Sequence, residues 1–118
     1  MIDPIHVADL DSLFTEWLET YHCELLCLPN PVVVVDATLP GYLGLMEEMD
    51  ILAEQFGTPI LIRSYHEEEE ESLPPGQMVL CVTRQTSLLS TLAQAQIYSS
   101  VQDAGLKPDL GQVWELSR

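Results

Sequence analysis

Four consecutive valines, Val32 to Val35, place the tightest constraint on what this chain can become. A β-branched run is apolar on both faces and much too short to cross a membrane, so it asks for a strand covered from both sides. Asp36 ends the run, and Leu39-Pro40-Gly41 punctuates the chain after it. Leu45, Met49, Leu52 and Phe56 then recur at i, i+4, i+7 and i+11, which is one face of a helix. Gly57 stops that helix and Pro59 opens Ile60-Leu61-Ile62. Residues 31–62 therefore read as a single βαβ unit, right-handed as such crossovers are, with a carboxylate where the first strand meets its loop.

The 118 residues give room for one domain, 1–118, built on one core. A net charge of -15 would suggest disorder only alongside low hydrophobicity, and the hydrophobic content is 47%. Such an acidic chain is a poor partner for nucleic acid or anionic membrane, because phosphate contacts need Lys and Arg. A basic protein partner, a bound cation or plain solubility remain. Cys23, Cys27 and Cys81 are sparse, odd in number and set among apolar residues, which predicts free, buried thiols in a reducing cytoplasm. Asp3 and Asp9 interrupt anything resembling a secretory leader, and no window approaches the ~20 apolar residues of a membrane span.

Taken in order, residues 4–8 suggest a short first strand, and Asp11 or Ser12 can cap a helix whose face carries Phe14, Leu18, Tyr21 and Leu25. That helix is expected to end near residue 22. CELLCL, 23–28, is ambiguous: Cys23, Leu25 and Cys27 alternate as in a strand, while Leu25 and Leu28 continue the helical stripe. A short extended segment is the expectation, and Pro29-Asn30 leaves no room for a parallel crossover to its neighbour. A strand at 59–63 leads to Ser64 and then to Glu67, Glu68, Glu69, Glu70 and Glu71, whose mutual repulsion predicts an exposed, mobile loop over 65–76. Gln77 to Thr83 is another buried strand, followed by Arg84. Thr86 or Ser87 caps a last helix with Leu89, Ala93, Ile97 and Val101 on one face, stopped by Gly105. A short edge strand at 112–117 would pack Trp114 on its own domain.

Asp36 is the leading site candidate, since ligands of open parallel sheets gather beyond the carboxyl ends of the strands. A carboxylate there can accept a phosphoryl group, hold a divalent cation, or simply cap the amides of Thr38 and Leu39. The run Asp36-Ala-Thr-Leu-Pro-Gly-Tyr-Leu-Gly-Leu resembles the stretch around the phosphoacceptor aspartate of response-regulator receiver domains. Thr58-Pro-Ile-Leu-Ile is similar to the fourth receiver strand, and Ser64 falls where the family keeps a switch Ser or Thr just past it. Val79 to Leu92 resembles the fifth strand and last helix. The match covers 31–64 and 78–104.

The resemblance implies a three-layer α/β fold with a mostly parallel sheet of four or five strands. The chain also departs from the pattern. Arg84-Gln85 stands where the family has Lys-Pro, and a guanidinium fork is not a compact ammonium. Only Asp9 and Asp11 can supply the acidic pair that, with Asp36, would hold Mg²⁺, so the cofactor expectation is none unless that trio is intact. The second and fourth helices are shortened or missing. Arg63 and Arg84 both fall at strand ends beside Asp36, where either could pair with it.

The other features are weaker. Cys23 and Cys27 at i, i+4 beside His22 could share a metal but lack the second ligand pair of a zinc signature. No catalytic motif is present, so no enzymatic activity is expected. The resulting expectation is a cytoplasmic receiver or pseudo-receiver acting by protein–protein contact, with self-association an extension. Its rivals are an acidic adaptor, inhibitor or nucleic-acid mimic that uses Glu67 to Glu71 on a basic target, and a structural relic with no retained site.

Overall fold

The computed structural model describes residues 5–66, 76–83, 97–99, 101, 102, 105 and 110–117. In chain order the elements are β1 (Ile5–His6), a 3₁₀ turn (Val7–Asp9), α1 (Leu10–Cys27), β2 (Pro31–Asp36), α2 (Tyr42–Gln55), β3 (Leu61–Tyr65), β4 (Gln77–Thr83) and β5 (Gln112–Ser117). The strands form one sheet in the order β1-β5-β4-β2-β3, and every neighbouring pair is parallel. The fold is three-layer α/β, with few helices for its strand count.

The valine run takes the centre. All of β2 is buried, as is β4 beyond its first residue, because two parallel neighbours and helical cover leave no wet face. Fully burying a Val or Leu side chain contributes about 1.5–3 kcal/mol, so this strand pair anchors the domain. The β2–β4 register slips between Val32 and Val33, where Val32 faces Met78 and Val33 faces Leu80, leaving Val79 as an extra residue. β3 alternates exposed and half-buried positions before the buried Tyr65, as an edge strand does.

α1 lays Leu10, Phe14, Trp17, Leu18 and Leu25 onto the core. Phe14 stacks on Trp17 at 5.7 Å between ring centroids, and Trp114 of β5 meets both rings edge-on. Trp114 thus packs on its own domain. α1 runs through Cys27, so 23–27 is helical and only Leu28 is extended: Leu25 is fully buried and Leu28 nearly so, and the apolar stripe outweighs the alternation of the two cysteines. A kink at Tyr21 (φ -109°, ψ 17°) follows Thr20, whose hydroxyl donates to the Glu16 carbonyl at 2.8 Å, a back-bond that bends helices. α2 buries Met49 and Ala53, with Leu45, Leu52 and Phe56 partly covered, and Gly57 ends it at φ +67°.

Three further expectations change. Cys23 and Cys27 are exposed and only Cys81 is buried, because the thiols of α1 sit off its apolar stripe. β5 is not an edge, since the two residues of β1 cover its end: Ile5 pairs with Leu116 and His6 with Ser117. Ser64 lies inside β3, level with Val35, and not beyond the strand. Of the last helix, Ile97, Tyr98, Ser99, Val101 and Gln102 are helical, and the rest of 84–104 is outside the described residues. The exposed loop expected over 65–76 starts later, because Tyr65 is the buried last residue of β3, and 67–75 lie outside the described residues.

Counted from β2, the sheet reads 2-1-3-4-5, the flavodoxin-like order of doubly wound sheets, with β1 in fifth place although it comes first in the chain. α1 then connects the fifth place to the first and α2 the first to the second. Right-handed crossovers put those two helices on the same face, and α1 packs beside α2. The strands at 31–36, 61–65 and 77–83, which the receiver resemblance aligns with consecutive third, fourth and fifth positions, run across the sheet with 31–36 in the middle.

Candidate functional site

β2 is where the sheet changes direction. The chain steps from β2 to β3 on one side and later to β4 on the other, so the carboxyl ends of β2 and β4 flank the topological switch point. Ligands of doubly wound sheets bind in the crevice at that point. Asp36 ends β2 and Thr83 ends β4.

The two residues are bonded to each other. The Thr83 hydroxyl donates to Asp36 Oδ2 at 2.9 Å, and the Thr38 backbone N–H donates to Asp36 Oδ1 at 2.9 Å. The second contact is an Asx turn, in which an aspartate caps the amide two residues on. The loop is wound further around it: Leu39 N–H donates to the Asp36 carbonyl at 3.1 Å and Tyr42 N–H to the Leu39 carbonyl at 3.2 Å. Gly41 carries the αL turn (φ +72°) that lets α2 start immediately. Ala37 N–H continues the ladder to the Tyr65 carbonyl at 2.9 Å, and buried Leu39 closes the loop over the core. Asp36 is 4% exposed and Thr83 is fully buried.

A carboxylate in this position organises the loop and strand end around it. Each oxygen accepts a hydrogen bond from the chain itself, and the residue is 4% exposed. Burial, and after it the charge of Asp36, push the neighbouring Cys81 thiol up to about 12. That thiol stays protonated and unreactive at neutral pH.

Asp9 ends the 3₁₀ turn and Asp11 lies in the first turn of α1, both exposed. Asp11 meets Glu48 of α2, and a side-chain hydrogen bond from that pair raises the Glu48 carboxyl above its ordinary value of 4.5, with burial and the Asp11 charge adding to the rise. Among the described residues no three His, Cys, Asp or Glu side chains come together as metal ligands. Asp9, Asp11 and Asp36 therefore do not make the trio that Mg²⁺ would need. Arg63 is exposed and level with Val34, two positions short of Asp36. Arg84 and Glu67 to Glu71 lie outside the described residues.

Thr83 escaped the sequence reading. Its signal was the same as that of Asp36, a polar side chain closing an apolar strand, but its role depends on β4 lying beside β2. The contact between His22 and Thr58 was equally silent. His22 Nδ1 and Thr58 Oγ1 are 2.8 Å apart, tying α1 to the loop that leaves α2.

Compared with known proteins, the chain matches no family model, no curated protein and no solved structure. No helix among the described residues is long and apolar enough to cross a membrane.

Proposed function

We propose that the chain is a regulatory interaction module of pseudo-receiver type, which works by contact with another protein and without a phosphorylation cycle or other catalytic step. The observation that carries this reading is the state of Asp36: buried, with one oxygen held by the Thr38 N–H and the other by the Thr83 hydroxyl. A phosphoacceptor needs an oxygen open to in-line approach and a cation beside it, and neither requirement has support here.

A second reading, the acidic adaptor, is favoured by the helical layer. α1 carries Asp11, Glu16, Glu19 and Glu24, and α2 carries Glu47, Glu48, Asp50 and Glu54. Neither helix contains a Lys or Arg, and the two pack side by side. A partner with a basic surface is the chemistry that complements such a face.

Two measurements test these readings. Beryllofluoride with Mg²⁺ is expected to leave the amide spectrum of the chain unchanged. A response that vanishes in Asp36→Asn would restore the phosphoswitch. Capture of a basic partner is expected to weaken steeply between low and physiological salt, and binding indifferent to salt would remove the acidic reading.

A further inference from the structure

Cys23 and Cys27 were expected to be buried, and both are exposed and free. They lie four residues apart in α1, past the Tyr21 kink, in the stretch that stays helical to Cys27. Side chains at that spacing share a face, with Cβ atoms about 5–6 Å apart. A disulfide requires Cβ atoms roughly 3.5–4.5 Å apart, so this pair cannot close on itself without unwinding the last turn.

An ion held between the two sulfurs fits the same spacing. Two metal–thiolate bonds of about 2.3 Å in line set the sulfurs roughly 4.6 Å apart, within reach of side chains on successive turns. Among the described residues no third His, Cys, Asp or Glu joins them in a metal-binding group. The adjacent donor, His22, has its Nδ1 on Thr58 instead. Two thiolates without further ligands suit a soft ion satisfied by two donors and suit Zn²⁺ badly, because Zn²⁺ takes four.

We propose that Cys23 and Cys27 form a surface dithiol site for a single Cu(I) ion. Each thiol releases its proton on binding, and the bis-thiolate complex of a monovalent ion carries one net negative charge. The overall charge of -15 draws cations to this surface. Cys81 takes no part, since it is buried in β4 and its thiol holds its proton to about 12.

The test is an anaerobic Cu(I) titration of the full chain at pH 7, thiols reduced, against a chromophoric Cu(I) chelator. One equivalent should bind, with affinity falling by more than about tenfold in Cys23→Ser and in Cys27→Ser alike. Cys81→Ser should bind as the parent does, and circular dichroism should show all three variants folded. The proposal is overturned if neither α1 variant weakens capture, if one ion bridges two chains in sedimentation, or if Zn²⁺ is held as tightly as Cu(I).

Discussion

Two carboxylate sites in this molecule use the same functional group to opposite effect. Asp36 is buried between two donors, the Thr38 N–H and the Thr83 hydroxyl, and each of its oxygens meets a hydrogen. Glu48 is exposed and faces Asp11, another acid, so its proton is held more tightly than in water. Burial alone would predict the reverse, with the enclosed charge as the liability and the wet one harmless. Partners decide the matter: a desolvated carboxylate with matched donors fixes a loop, whereas a solvated one pressed against its own kind opposes the packing of two helices.

The largest expected difference concerns reactivity beside Asp36. The Cys81 thiol is raised from an ordinary 9.0 to about 12, while Cys23 and Cys27 are exposed. At pH 8 a rise of that size lowers the thiolate fraction of Cys81 by about a thousandfold. A thiol-reactive dye should label two cysteines quickly in the native chain and the third only on unfolding. The linkage runs the same way: stability from this group is complete below pH 9.0 and is lost as pH climbs towards about 12. Rapid native labelling of all three thiols would mean that the interior around Asp36 is open, and the contrast between the two sites would collapse.

Next in size is the Asp36–Thr83 bond. Thr83→Val keeps the shape of a fully buried side chain and removes the hydroxyl, leaving Oδ2 without that donor in a desolvated place. The expected loss is about 2 kcal/mol, read as a lower urea midpoint with an unchanged slope. A loss below about 0.5 kcal/mol would put Asp36 in the class of surface carboxylates, for which one contact matters little.

How much of this was legible in the sequence follows from which interactions are local. β2 and β4 could be read because buried parallel strands are continuous apolar runs, and Gln77–Thr83 has the predicted ends. α2 was visible through its stripe and its stop at Gly57. The end of α1 was not, because Cys23 and Cys27 imitated a strand while Leu25 and Leu28 supplied the burial that decided for helix. The sheet order was hidden for a different reason: the pattern of β2 does not say which strands will flank it. Asp36 could be singled out as a strand-end carboxylate, and its Asx turn onto Thr38 was one of the local options. Its bond to Thr83 spans forty-seven positions and exists only because the chain, after β3, crosses β2 and lays β4 along its other side.

The smallest effect tests the exposed half of the comparison. Glu48→Gln removes one charge from the Asp11–Glu48 contact and keeps a group able to donate a hydrogen bond to Asp11. Since both residues are exposed, solvent screens most of the repulsion, and the expected gain at pH 7 is on the order of 0.3 kcal/mol. The sign follows from the raised carboxyl. The folded chain holds the Glu48 proton more tightly than the unfolded chain does, so its contribution is complete below the ordinary value of 4.5 and is lost as pH rises through the higher folded value. The advantage of the Glu48→Gln variant over the parent should therefore be present at pH 7, shrink as pH falls towards 4.5, and diminish in high salt at pH 7. The same substitution at Glu54, an exposed acid six residues further along α2, sets the background for simply removing a charge from a chain this acidic. An equal gain at both positions would assign the effect to net charge, and the Asp11–Glu48 contact would cease to be the counterpart of Asp36.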